Sequence, residues 1–227
     1  YKKNGWKAYL SYSIANKEPN RDDFEAGVAQ QPKPERLHDT EGGIEQIKNK
    51  YSWSVTFYHM RYTNQLVLTG KINDVGAYTR TNIPKSFRMG IELQGAILCN
   101  KWFNATANLA LSRNKVRDFV EYIDDYDNGG QVMLKYSFPD IAFSPALVGG
   151  FSLNFLPIKN TELSLPGKLV SRQYLDNTQN ERRSLDPFFV QDIRAIYTLK
   201  RKVPGEVVII AQMNNILDAG YEPNGYT

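Results

Sequence analysis

Polar and apolar residues alternate along this chain with a period of two, segment after segment. From Phe103 the run Ala105, Ala107, Leu109, Leu111 is interleaved with Asn104, Thr106, Asn108 and Ser112. The same spacing recurs with Tyr51, Trp53, Val55, Phe57 against Ser52, Ser54, Thr56, and with Ile193, Ala195, Tyr197, Leu199 against Asp192, Arg194, Thr198. Period two is the mark of a β-strand with one dry and one wet face. Repeated over about nine long strands, it predicts an all-β fold: an antiparallel, up-and-down transmembrane β-barrel, apolar toward lipid and polar toward a lumen.

Strands are expected near residues 6–15, 39–47, 51–68, 87–98, 102–112, 146–156, from 162 onward, 189–199 and 206–213. The joins alternate. Tight turns are expected at 48–50, 100–101, 159–160 and 202–205, and long polar connections at 16–37, from 69 to Pro84, at 113–140 and at 173–186. Barrels sort short turns to one rim and long loops to the other, and strands of about ten residues suit a tilted crossing. The apolar faces, from Ala8, Leu10, Tyr12 and Ile14 to Val207, Ile209, Ala211 and Met213, are read as free of Lys, Arg, Asp and Glu. Lys7, Arg88, Glu92, Lys168, Asp192 and Arg194 fall on the other face. A charge facing lipid at mid-bilayer costs about 2–4 kcal/mol, so this sorting weighs against the competing fold, a soluble sandwich. Pro166-Gly167 is expected to break a ladder and form a bulge.

Composition agrees. Hydrophobic residues are 41% of the 227, and no run approaches the ~20 apolar residues of a spanning helix. Aromatics reach 12%, with 14 Tyr, a residue that favours membrane interfaces. The net charge of +4 is spread among interspersed Asp and Glu, so nucleic acid is not an expected partner. Cys99 stands alone and permits no intrachain disulfide. An odd strand count leaves a single-chain bacterial barrel open. With no signal peptide in Tyr1-Lys2-Lys3-Asn4-Gly5 and turn chemistry in Asn224-Gly225-Tyr226-Thr227, both ends are expected to be cut.

Several segments carry a resemblance: Tyr12-Ser13-Ile14-Ala15-Asn16 running into Glu18-Pro19-Asn20-Arg21; Pro34-Glu35-Arg36-Leu37 with Glu41 and Gly43; Ser86, Arg88 and Gly90-Ile91-Glu92; and Asn214-Asn215-Ile216-Leu217-Asp218 with Tyr221. In this order the chain resembles the C-terminal part of the barrel in TonB-dependent outer-membrane receptors, and residues 65–90 look closest to Bacteroidetes-type members. It departs at Ile216-Leu217, where Leu-Phe is usual. The resemblance assigns all of 1–227 to that barrel domain, about nine to ten strands of a larger barrel. It implies a Gram-negative outer membrane, uptake of a scarce nutrient such as an iron–siderophore complex, haem or cobalamin, a TonB partner, and room for a surface lipoprotein. The plug domain, the TonB box and the final strand would lie outside this chain.

Other chemistry has little support. Asp124-Asp125-Tyr126-Asp127-Asn128-Gly129 has the carboxylates a calcium ion wants, but Tyr126 stands at the third ligand position, so a solvated loop is the favoured reading. Two His and one Cys give little basis for a zinc site. No nucleophile elbow or phosphate-cradling loop is present, so no enzyme and no cofactor are expected; a passive porin or adhesin, and less so a barrel hydrolase, stay as alternatives. The ligand surface is expected among the long loops, at Arg21, Asp22, Arg113, Asp124, Asp125, Tyr126, Asp127, Arg182 and Arg183, with the basic groups focusing field for an anionic ligand.

Overall fold

A computed structural model describes residues 2–25, 31–72, 78–125, 127–129, 131–200 and 205–226. Its body is one eleven-stranded antiparallel sheet. In chain order the wall runs through β1 (Trp6–Lys17), β2 (Glu35–Ile47), β3 (Tyr51–Ile72), β4 (Tyr78–Asn100) and β5 (Phe103–Val116). A separate hairpin follows, β6 (Phe119–Asp124) with β7 (Gln131–Tyr136). The wall resumes with β8 (Leu147–Phe155), which pairs with β5, then β9 (Thr161–Val170). Against β9 lie β10 (Phe188–Gln191) and β11 (Ile193–Lys200) end to end, and β12 (Glu206–Met213) closes the described order. Lys2–Lys3 adds a short pair at the β1 edge. Setting that pair aside and taking β10 and β11 as one leaves nine transverse positions, at the places the alternation predicts.

Register proves the two faces. Tyr51 pairs with Ile97, Val55 with Leu93 and Phe57 with Ile91; Leu93 then pairs with Leu109 and Ile91 with Leu111. Phe103 meets Phe155 and Leu111 meets Leu147, and Tyr197 meets Ile209. The apolar residues of successive strands therefore form one continuous surface. Many of its large side chains are exposed, among them Leu10 at 81%, Phe57, Ile91, Leu111 and Ile209. On the opposite, polar face Ser86 and Asn114 are buried at 6% each and Ser164 at 7%, while Glu92, Gln94 and Asn108 are open. Among the described residues no second sheet covers the apolar face; the two smaller sheets are two-stranded. The alternation is weak in two strands. β2 has Ile44 as its one large apolar outward residue, and β12 is apolar on both faces through Val207–Ile210.

Four expectations need correction. The connection placed between residue 69 and Pro84 is mostly strand: β3 has 22 residues and β4 has 23, about twice what a crossing needs. Pro84 is accommodated because Asn64 opposite it takes a left-handed φ of 55°, and Asn82 Nδ2 donates to the Asn64 carbonyl at 2.7 Å. The 113–140 excursion is not open loop but contains β6 and β7. Within 16–37, Arg21–Glu25 forms a short helix.

Pro166 does interrupt a ladder, yet without a bulge. Gly167 pairs with Gln191 and Ser164 with Arg194 in one unbroken register. Pro166 has no N–H to give, and its carbonyl accepts from Asp192 N at 2.9 Å and from Gln191 Nε2 at 2.7 Å. A register shift does occur at Cys99, between Leu98 and Asn100, just before the Lys101-Trp102 turn.

Candidate functional site

Each long connection leaves the wall at the same end, because neighbouring strands are antiparallel and the intervening turns are short. That rim is braced rather than loose. Val67, Ile83, Val116, Phe119 and Ile141 form a small dry cluster with Tyr136 against it, so the β6–β7 hairpin is rooted on the tops of β3, β4 and β5. Asn177, fully buried, accepts from Ala142 N at 2.9 Å and donates to the Leu68 carbonyl at 2.6 Å. A buried amide needs such partners, and here they tie the 171–187 connection to two other elements.

Arg183 completes the tie. Its Nη1 donates to Glu121 Oε1 at 2.8 Å and to Asp176 Oδ2 at 3.0 Å, while Tyr136 Oη donates to Glu121 Oε2 at 2.9 Å. These carboxylates hold the Arg183 guanidinium above its usual range. Burial, then the hydrogen bond to Glu121, pushes the Tyr136 phenol up. The short helix is anchored separately: Asp23, buried at 6%, accepts from Arg80 at 3.1 Å.

Inside the wall, residues 141–145 fold over the polar face. Ile141 N donates to the Asn114 carbonyl at 3.0 Å, Ser112 Oγ to the Pro145 carbonyl at 3.0 Å, and Arg88 Nη1 to Ser144 Oγ at 3.0 Å. Beside them lies a cavity of ≈ 440 Å³ bounded by Tyr58, Arg88, Glu92 and Asn114. Arg88 and Glu92 follow from alternation; the inward turn of 141–145 does not.

Among the described residues, those predicted for a ligand surface are spread over several elements. Arg21 and Asp22 belong to the short helix. Arg182 is exposed on a 3-10 turn capped by Asn180, whereas Arg183 is engaged in the tie. Arg113 pairs with Met89 on the outer, apolar-side face, away from the lumen. Asp124 ends β6 opposite Gln131. Asp125 accepts from Asp127 N and Asn128 N at 3.1 Å each and from Asn128 Nδ2 at 3.1 Å. These bonds, the Asn128 backbone first, hold its carboxyl below the usual range. Such a carboxylate closes a turn, which fits the loop reading of this stretch. Asp127 is exposed at the tip; Tyr126 lies outside the described residues, and so do 73–77 of the resemblance and 202–204 of the last turn.

An antiparallel wall with an apolar, charge-free central band on its outer face, turns at one rim and braced loops at the other defines a transmembrane barrel of the outer-membrane class. More narrowly, the chain belongs to the TonB-dependent receptor-like β-barrel family, whose family model matches residues 1–216. A comparison with curated proteins returns no match. Among solved structures it is similar to the siderophore receptor PiuA from Acinetobacter baumannii (15% identity, TM-score 0.73, 99% of this chain and 31% of that one). It is also similar to the ferric yersiniabactin uptake receptor FyuA from Yersinia pestis (15%, 0.67, 99% and 32%) and to the copper transporter OprC (16%, 0.66, 96% and 32%). At such identities the likeness shows the fold. The chain spans about a third of the length of these structures.

Proposed function

We propose that this wall and its braced rim line the ligand path of a receptor that takes up a scarce, bulky nutrient, an iron chelate, with energy from a TonB partner. Family membership over residues 1–216 carries the reading. The named neighbours, a siderophore receptor, a ferric yersiniabactin uptake receptor and a copper transporter, support a metal complex as cargo; haem and cobalamin are the other members of the class. Coupling to TonB is assigned to no residue of this chain, and a surface lipoprotein on the loop side is a further candidate partner.

Ligand contact is proposed for the loop residues Arg21, Asp22, Asp124, Asp125, Tyr126, Asp127 and Arg182. Arg113 and Arg183 are weaker candidates, since one faces outward and the other is neutralised by two carboxylates. Long loops on a rigid scaffold are where binding concentrates. The test is to replace residues 124–131 by Asn-Gly, a two-residue hairpin turn that can join Ile123 to Val132. In cells carrying the full receptor, uptake of candidate iron chelates or haem should fall while heat-modifiable, assembled receptor is unchanged. Unchanged uptake of every candidate taken up by the parent receptor would remove the tip from the site.

A further inference from the structure

Register places an unexpected group of charges on the outer face. Above the apolar row Leu10, Phe57, Ile91 and Leu111, the outward positions of β1–β5 read Tyr12, Thr40, His59, Met89, Arg113 in one row and Ile14, His38, Arg61, Phe87, Lys115 in the next. The third holds Asn16, Arg36, Thr63 and Lys85, with Arg117 beside Lys85 through its N–H to the Lys85 carbonyl at 2.9 Å. Three rows carry six Lys or Arg, two His and no Asp or Glu. This corrects the expectation that charges within strands all turn inward: the outer face is charge-free only across its central band.

Two of these cations have local partners, Lys115 with Asp140 at 2.8 Å and Arg117 with Asp118 at 3.4 Å. Among the described residues Arg36, Arg61, Lys85 and Arg113 have no carboxylate within 4 Å, and all four are exposed. Like charges on adjoining strands repel, so the cluster calls for anions from outside the chain. A depression of ≈ 580 Å³ opens among them, lined by Tyr12, His38, Arg61, Lys85, Arg117 and Phe138, with Tyr12 Oη 2.7 Å from His38 Nδ1.

We propose that this outer face of β2–β5 binds the phosphorylated headgroup of a lipid in the outer leaflet. The vertical order of the surface carries the assignment to a lipid rather than a free anion. Exposed apolar side chains come first, then the rows of the Tyr12–His38 pair with Arg113, Arg61 and Lys115 level with it, then Arg36, Lys85 and Arg117. That is the order of acyl chain, interface and phosphate. Arg and Lys both bind phosphate, Arg by a bidentate fork. Four strands at about 4.8 Å spacing make a patch some 14 Å wide, enough for one or two phosphates.

The receptor containing this chain, solubilised in detergent, is titrated with dioleoyl phosphatidic acid, dioleoyl phosphatidylcholine or inorganic phosphate and read by native mass spectrometry. Phosphatidic acid should be retained over phosphatidylcholine, and millimolar inorganic phosphate should not displace it. The double variant Arg61→Gln/Lys85→Gln should lower that retention about tenfold, since each basic group near an anionic surface contributes severalfold. Lys50→Gln, on a turn at the opposite rim, should leave it unchanged. Heat-modifiability confirms that each variant is assembled, and Arg113→Gln provides a second reading if the double variant is not. Equal retention by parent and variants, or full displacement by inorganic phosphate, would overturn the proposal.

Discussion

Asn154 Nδ2 donates to Asn104 Oδ1 at 2.9 Å across β5 and β8, on the lumenal face, while the adjoining Phe155 and Phe103 stack at 4.9 Å on the outer one. One step along each strand changes the solvent. An amide pair of this kind is stable only where its remaining donors and acceptors meet water or other polar groups; a stacked aromatic pair on an exposed convex face is at home in hydrocarbon.

The same step predicts an asymmetric pair of variants. Leu109→Arg places a cation on the lipid face and should cost about 2–4 kcal/mol at mid-bilayer, lowering the yield of heat-modifiable receptor. Asn108→Arg, one residue away and lumenal, should leave assembly intact. Similar losses from both would contradict the two-faced wall.

Gly90 is held open for an aromatic ring. A Cβ there would meet the Leu111 carbonyl and lie 2.6 Å from the Tyr58 hydroxyl, whereas at Gly95 its nearest neighbour, Ser52 O, is 3.9 Å away. Overpacking of this kind costs about 1–3 kcal/mol. Gly90→Ala should therefore lower the urea midpoint of the receptor, and Gly95→Ala should not.

Arg183→Ala should loosen the hairpin without unfolding the wall. Hydrogen bonds to charged groups contribute about 1.5–3 kcal/mol. Because the Arg183 side chain is 39% exposed, solvent screening keeps the effect at the lower end. Hydrogen exchange across residues 119–136 should accelerate, while Arg182→Ala leaves it unchanged.

The turn at Asp125 should depend on pH in one direction. Its carboxyl is held below the usual range by the Asn128 and Asp127 donors. A depressed carboxyl stabilises the folded turn above its unfolded value, about 3.9, and that contribution is lost as pH falls through the lower folded value. Exchange protection of the Asp127 and Asn128 amides should hold from neutral pH to about 5 and drop in stronger acid. In Asp125→Asn the drop should disappear.

Much of this was legible because period two is a strong local signal. Leu109 and Asn108 declare their faces without any knowledge of the partner strand, and register then aligns such declarations across the wall and fixes the faces of the weakly alternating Glu35–Ile47 and Glu206–Met213. What sequence could not show depended on long-range pairing. Pro84 reads as a terminator, and only Asn64 across the ladder makes it tolerable. Phe119–Asp124 and Gln131–Tyr136 lack clean alternation because both faces of that hairpin are mixed. Arg61 and Lys85 look like scattered rim charges until β3 and β4 bring them to one surface. At the rim, Arg182 and Arg183 are adjacent and chemically alike in sequence; Glu121, 62 residues from Arg183, makes one a brace and leaves the other exposed.

The most direct test of the barrel wall is a pair of spin labels in the full receptor in lipid bilayers, with the exposed Cys99 replaced by Ser. Leu109→Cys and Asn108→Cys are each labelled, and relaxation by dissolved oxygen is compared with relaxation by a water-soluble nickel chelate. Oxygen should dominate at 109 and the nickel complex at 108, with the preference reversing again at Ala107 and Thr106. Equal accessibility at the two positions, or a nickel-dominated signal at 109, would contradict the barrel wall.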